Sequence, residues 1–448
     1  MLRRSAGVMM SQKAGERKAS SSLERSKGLT PALGLVGATA INLGAIVGAG
    51  IYAVLGIIAG VAGPALLLSI GIAALVALLT ALSFSEVAAH IPREGSVYEF
   101  GRELISPAAG FLAGWMWMLA NVFAGAAVAL TFAHYVAAAL PILHVQGVAA
   151  ALCLLFTALN FAGVRHSSMV NITLVAANLI ILAIFVGFGM AHLTLGNFQP
   201  FVPAPAGVLV GAYYIFFAYS GFGRAATVAE EIKNPEQTVP RAVLISILIS
   251  TGFYLCVGVA AVGLIGAPAL AQSAAPLNYA VRATGAAPLA YVVSLGGLLA
   301  TASVLLTSIL GVSRVAFAMA RRGDLPRSLS TVHPRYLTPS YAVVITGGVI
   351  TLLTLFATLA EVVAVSTFAL LFYYGLTNLG ALRLAPHQRR YSSAVPIAGV
   401  FTCGGLLLVS LIEAPVTWIL GISALGVGLL FYAVKKRRSN EEHEIAAR

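Results

Sequence analysis

Between residues 33 and 434 the chain is a succession of apolar runs joined by short polar connections. Most runs reach about 20 residues, the length a helix needs to cross hydrocarbon. The 448 residues are 59% hydrophobic and only 9% charged, with a mean hydropathy of +0.93. That leaves too little charge to cover a water-soluble protein of this size. The runs do not alternate apolar and polar residues, as transmembrane β-strands must. The expected fold class is therefore an all-α integral membrane protein with 12 transmembrane helices, its main partner the lipid bilayer. The spans are read at 33–60, 64–90, 107–140, 145–163, 168–192, 206–232, 239–265, 286–319, 340–358, 361–382, 394–412 and 415–434. The third and eighth are long enough to include an interfacial turn or a steep tilt.

Basic residues orient these spans. With the N-terminus inside, 24 of the 27 Lys and Arg fall on the cytoplasmic side and one, Arg282, falls outside. Arg224 and Arg314 lie within spans. This is a strong positive-inside pattern. It places both tails, 1–32 and 435–448, in the cytoplasm of a multi-pass protein of the cell (plasma) membrane. The basic, Ser-rich 1–32 tail is read as disordered. It lacks an apolar h-region, so no cleaved signal peptide is expected. The net charge of +12 is accounted for by orientation beside anionic lipid, so no nucleic-acid partner is expected. Cys153, Cys256 and Cys403 all lie in apolar spans, which argues against a disulfide framework or a metal site. No metal and no cofactor are expected.

The first span reads INLGAIVGAGIYAV (41–54) and is interrupted by Gly44, Gly48 and Gly50. Each glycine costs about 1 kcal/mol in a helix interior, and unwound backbone is tolerated in a membrane only inside protein or beside a watery cavity. The sixth span repeats the feature at Tyr219-Ser220-Gly221-Phe222-Gly223. Each unit holds five spans, an odd number, so the second set of five enters from the opposite side. This predicts an inverted-topology repeat, 33–192 against 206–385, followed by helices 11 and 12 at 394–434. The bared amides and carbonyls of two broken helices suit a carboxylate and an ammonium, the two groups of an α-amino acid. Small residues also serve close helix packing. For Gly44 the two readings stand level. For Gly48, Gly50, Gly221 and Gly223 the pairing across the repeats favours a site.

Several stretches carry a resemblance. GAIVGAGIYAVLG (44–56) with GVAGPA (60–65) resembles the first span of the amino acid–polyamine–organocation (APC) superfamily. SEVAAHIPREGSVYEF (85–100), AEEIKNPEQTVPRA (229–242) and SRVAFAMARRGDLPRSLSTVHPRYLTP (313–339) resemble its later signatures, in the expected order. The likeness covers about residues 33–385 and is greatest to bacterial and archaeal permeases similar to cationic amino acid transporters. It implies a LeuT-type 5+5 inverted-repeat fold with helices 1 and 6 broken, and secondary transport of amino acids by alternating access. It also implies that the substrate α-carboxylate meets the backbone of Val47, Gly48, Ala49 and Gly50. The α-amino group would meet carbonyls of Ile46, Phe217, Ala218 and Ser220, beside Gly221, with Phe217 as an aromatic lid.

Two positions depart from the family's pattern. Asn178 stands where many proton-coupled members carry Lys, and an amide cannot titrate. Asn178 either bonds unwound carbonyls near Gly44 or makes a plain interhelical bond. Gly223 stands where many members have Asp or Glu, and Arg224 follows it. A buried charge needs a partner, so Arg224 is expected to pair with Glu86 or Glu230, structurally or as a cytoplasmic gate, ahead of contacting an acidic substrate. Asp324, the only Asp in the chain, falls in a cytoplasmic loop. With no acid near the midplane, a neutral amino acid is the simpler substrate. A sodium site would need hydroxyls such as Thr301, Ser303, Thr307 and Ser308, which more often back-bond their own helix. The coupling ion, H+ or Na+, stays open, as does antiport against symport. The rival readings are a carrier of another organic cation such as a polyamine and a non-transporting amino-acid sensor. The eight His residues are scattered without catalytic spacing, so no enzyme is expected, and nothing resembles a channel's pore loop.

Overall fold

The structure, a computed structural model, describes residues 33–47, 50–91, 97–140, 142–163, 168–201, 204–227, 232–413 and 415–447. Among these, regular structure is helical apart from one isolated parallel bridge between Leu33 and Ile232. The helices that frame the site are α1 (Leu35–Ile46), α2 (Gly50–Ala62), α3 (Leu66–His90), α4 (Val97–Leu104), α5 (Pro107–Ala139), α6 (Val145–Phe161), α7 (Ser168–Ala191) and α8 (Pro205–Phe216). They are followed by α9 (Pro235–Ile265), α10 (Pro276–Ala283), α11 (Ala287–Arg321), α12 (Ser340–Phe356), α13 (Leu359–Ala381), α14 (Ala394–Glu413) and α15 (Pro415–Ala447). Nine helical stretches of the described residues are long and apolar enough to cross a membrane; α6 and α12 are apolar but shorter. The chain is thus a multi-pass helical membrane protein.

The third and eighth expected spans are each one unbroken helix, α5 of 33 residues and α11 of 35. At 1.5 Å per residue each is about 50 Å long, so each is steeply tilted or reaches beyond the hydrocarbon. They pack against one another, and α13 packs on α5. Local chemistry sets their ends. Pro107 opens α5 at a position where its missing N–H is not needed, and the Ser106 hydroxyl accepts from Ala109 N at 3.1 Å. Thr358 and Glu361 form a reciprocal capping box at the start of α13. Two short helices break the polar connections. The amphipathic α4 buries Val97, Tyr98, Phe100 and Gly101, and α10 is tied to α11 by Asn278 Nδ2 donating to Ala290 O (3.1 Å) and Ser294 Oγ (2.7 Å).

The first and sixth crossings run antiparallel and in contact along their length. Lys233 N donates to Leu33 O at 2.8 Å, and Ala225 N donates to Asn42 Oδ1 at 2.8 Å. Further along, Gly221 lies on Ala45 and Ile46, Gly50 on Ala218, and Gly207 on Val61. Each step up one segment is a step down the other.

Candidate functional site

The first crossing is interrupted where its glycines cluster. Helix α1 ends at Ile46, Val47 forms a turn, and α2 begins at Gly50. Gly48 and Ala49, expected to cradle a carboxylate, lie outside the described residues. The sixth crossing differs from expectation. Phe217–Gly223 is not opened but wound tighter, as a seven-residue 3-10 helix. Ser220, Gly221 and Gly223 are weak α-helix formers, and i→i+3 bonding keeps the amides of the segment paired within it. A 3-10 run of this length is uncommon and marks strain or a hinge.

The two interruptions touch. A Cβ built on Gly221 would stand 2.5 Å from Ala45 C and 2.6 Å from Ile46 N. One on Gly50 would overlap Ala218 Cα and Cβ. Only glycine permits so close an approach of two backbones. Gly50 and Gly221 therefore pack the crossing, and a ligand between them requires the two backbones to part. Ile46, Val47, Phe217 and Ala218 are all buried, each at 3% exposure or less. Phe217 belongs to the packed core.

Side chains from other helices also donate to carbonyls at the two interruptions. The Tyr254 hydroxyl on α9 lies 2.6 Å from Ile46 O and 3.0 Å from Ala218 O. Asn178 Nδ2 on α7 donates to Val47 O at 3.0 Å. The Tyr52 hydroxyl on α2 donates to Asn178 Oδ1 at 2.8 Å, which orients the amide with its NH2 toward the break. The Tyr374 hydroxyl on α13 donates to Ser220 O at 3.1 Å. A buried carbonyl left bare costs about 1–3 kcal/mol, so these donors are what make the interrupted geometry tenable. Tyr52, Tyr254 and Tyr374 were not singled out in the sequence. The available signal was a tyrosine within an apolar span, whose hydroxyl must find a partner when buried.

Arg224 does not pair with Glu86. Glu86 Oε1 accepts from the backbone N–H of Tyr391 at 3.1 Å and from that of Arg390, so it pins the connection between α13 and α14. Glu230 lies outside the described residues. Arg224 Nη2 donates to Asn121 Oδ1 at 2.6 Å and Nη1 reaches Thr307 O at 3.5 Å. Its guanidinium lies 5.9 Å from the Trp117 ring centroid. It borders a small cavity of about 10 Å³ lined also by Phe84, Asn121, Ser220, Tyr373 and Tyr374. Gly223 is explained by this wall, since a Cβ there would stand 2.8 Å from the tip of the Phe84 ring. A carboxylate-bearing side chain has no room at that position.

On α11, Thr301 Oγ1 donates to Gly297 O at 2.6 Å and Thr307 Oγ1 to Ser303 O at 3.1 Å. These hydroxyls are engaged by their own helix. Among the described residues no three or more His, Cys, Asp or Glu side chains converge as metal ligands do. A polar cluster that sequence reasoning missed joins α4 to the loop after α11. Asp324 Oδ2 accepts from the Tyr98 hydroxyl at 2.6 Å and from Arg102 Nη1 at 3.0 Å, and Arg322 Nη2 donates to Glu99 Oε2 at 2.9 Å. Burial and the Asp324 bond push the Tyr98 phenol above its ordinary pKa, so it stays a donor.

Residues 33–438 match the family described as amino acid permease. An uncharacterized transporter of Mycobacterium tuberculosis is 36% identical over 90% of this chain and 91% of its own. The branched-chain amino acid permease BcaP of Bacillus subtilis is 30% identical over 93% of this chain and 95% of its own. A methylthioribose transporter of the same organism is 29% identical over 93% and 96%, respectively.

Proposed function

Since the chain belongs to the amino acid permease family of the APC superfamily, we propose that it is a secondary active transporter that moves amino acids by alternating access. The observation that carries this reading is the set of carbonyls at Ile46, Val47, Ala218 and Ser220, each accepting from a buried side-chain donor on another helix. In the substrate-bound state the α-amino group meets carbonyls of Ile46, Phe217, Ala218 and Ser220, beside Gly221. The α-carboxylate meets the backbone of Val47, Gly48, Ala49 and Gly50.

The antiparallel contact of the first and sixth crossings supports two inverted halves, 33–192 and 206–385. Counting Leu35–His90 as two crossings and adding the two shorter apolar helices gives twelve. The distribution of basic residues supports cytoplasmic tails in a plasma membrane. Asn178 and Arg224 keep their proposed roles in coupling and gating, Asn178 through the break and Arg224 through the cavity wall. Glu86 acts at the α13–α14 connection and Glu230 remains a gating candidate.

The cavity beside the crossing is lined by aromatic and polar residues and by Arg224, with no acidic side chain among the lining residues. That favours a neutral amino acid over a polyamine, and the branched-chain permease fits the same preference. The relative named as a methylthioribose transporter favours a second reading, a neutral solute that is not a zwitterion. Uptake of radiolabelled leucine, arginine, putrescine and methylthioribose into proteoliposomes separates them. Saturable leucine uptake or counterflow is expected. Saturable binding without flux identifies a sensor and refutes transport.

A further inference from the structure

We propose that the Tyr254 hydroxyl stands in for the substrate's ammonium, and that an amino acid binds by displacing it. This rests on the reading above, in which the α-amino group goes to the carbonyls of Ile46 and Ala218. Tyr254 is fully buried on α9, and its oxygen lies 2.6 Å from one of those carbonyls and 3.0 Å from the other. Its ring is held edge-on to Tyr219, with centroids 5.2 Å apart. The two carbonyls belong to different crossings, α1 and the 3-10 segment. The hydroxyl therefore ties the crossings together at the level where Gly50 meets Ala218.

A phenol has one proton to give. It serves two acceptors by sharing that proton, so neither bond is at full strength. An ammonium has three N–H donors and a positive charge, and its hydrogen bonds are roughly twice as strong as neutral ones. It satisfies both carbonyls at once. Displacement is thus favourable for a primary ammonium and unavailable to a molecule that offers only a carboxylate. When the substrate leaves, the hydroxyl returns, and the two buried carbonyls are not left bare during the empty half of the cycle. Tyr254 acts here as a positioning residue that also selects for N–H donors.

The test compares Tyr254→Phe with wild type, using L-leucine and its des-amino analogue 4-methylpentanoate, or the equivalent pair for whichever common amino acid saturates. Removing the competitor should tighten leucine binding by about three- to tenfold, the net worth of one hydrogen bond. Binding of 4-methylpentanoate should not change, and the ligand-free variant should unfold at a lower temperature. Unchanged or weaker leucine binding, or equal shifts for both ligands, overturns the proposal. The wild type supplies a second measurement should the variant not fold. N,N,N-trimethyl-L-leucine keeps the charge but has no N–H, and is expected to bind no better than 4-methylpentanoate. Binding as tight as leucine's overturns the displacement. A wild type that binds leucine but fails these comparisons refutes the role of Tyr254 alone. One that binds no common amino acid refutes the transport reading as well.

Discussion

Gly221→Ala tests whether the first and sixth crossings touch as described. The added methyl carbon would stand 2.5 Å from Ala45 C and Ala45 Cβ and 2.6 Å from Ile46 N. Ordinary contact begins at 3.4 Å, so the shortfall is about 0.9 Å against three atoms at once. Two of the three are backbone and cannot rotate aside, so the whole crossing must shift. Overpacking a close-packed interior costs about 1–3 kcal/mol, and rigid opposing atoms put this site near the top of that range, about 3 kcal/mol. Gly252→Ala on α9 is the control. Nothing lies within 4 Å of its added carbon, and replacing a mid-helix glycine there should stabilise by about 0.5–1 kcal/mol. The assay is thermal unfolding in detergent followed by a thiol-reactive dye. Cys153 and Cys403 are buried and react on unfolding, whereas Cys256 is exposed and is first replaced by Ser. Gly221→Ala should unfold well below the parent and Gly252→Ala slightly above it. If Gly221→Ala matches Gly252→Ala, the close crossing is wrong.

Asn178→Leu strips the partner from both Val47 O and the Tyr52 hydroxyl, which should cost about 2–4 kcal/mol in the same unfolding assay and abolish uptake. Asn178→Lys places a titratable donor beside Val47 O, and uptake should gain a pH dependence that the parent lacks at this position. Asp324→Asn weakens the acceptor shared by Tyr98 and Arg102, and should destabilise by about 1–2 kcal/mol; in a double-mutant cycle with Tyr98→Phe the losses should not add.

Periodicity and length made most of the fold legible, because a membrane span needs about 20 apolar residues wherever it lies. The spans read from 107 and 361 begin within two residues of α5 and α13. What could not be read was winding. Gly221 and Gly223 mark a weak place in a helix, but whether it opens or tightens depends on the atoms opposite. Here Ala45, Ile46 and Phe84 fill the space, and the segment tightens to a 3-10 helix. The short helices α4 and α10 escaped because their apolar residues are too few to register as spans. The glycines located the break and Asn178 stood as a candidate donor to its carbonyls, while the tyrosine donors stayed hidden. Tyr254 bonds Ile46 across 208 residues, and one sequence carries no register between such distant helices. The expected Arg224–Glu86 pair failed for the same reason, since Glu86 turns to the backbone of Arg390 and Tyr391.

The nature of the donors bears on how such a crossing moves. A lysine at the position of Asn178 would have to carry its charge into a low-dielectric interior or lose its proton, and burial makes that balance pH-sensitive. An amide donates to Val47 O at every pH and carries no charge to desolvate. Tyr52 fixes which end of the amide faces the break. With phenols at Ile46, Ala218 and Ser220, these side-chain contacts to the interrupted backbone are neutral. Neutral hydrogen bonds are individually worth about 0.5–1.5 kcal/mol net, so each is strong enough to spare a buried carbonyl and weak enough to be exchanged for a charged ligand. Proton coupling, if the transporter uses it, must then enter through a group other than those at the break. Among the residues on the cavity wall, the one that carries a formal charge is Arg224, whose guanidinium does not give up its proton in proteins.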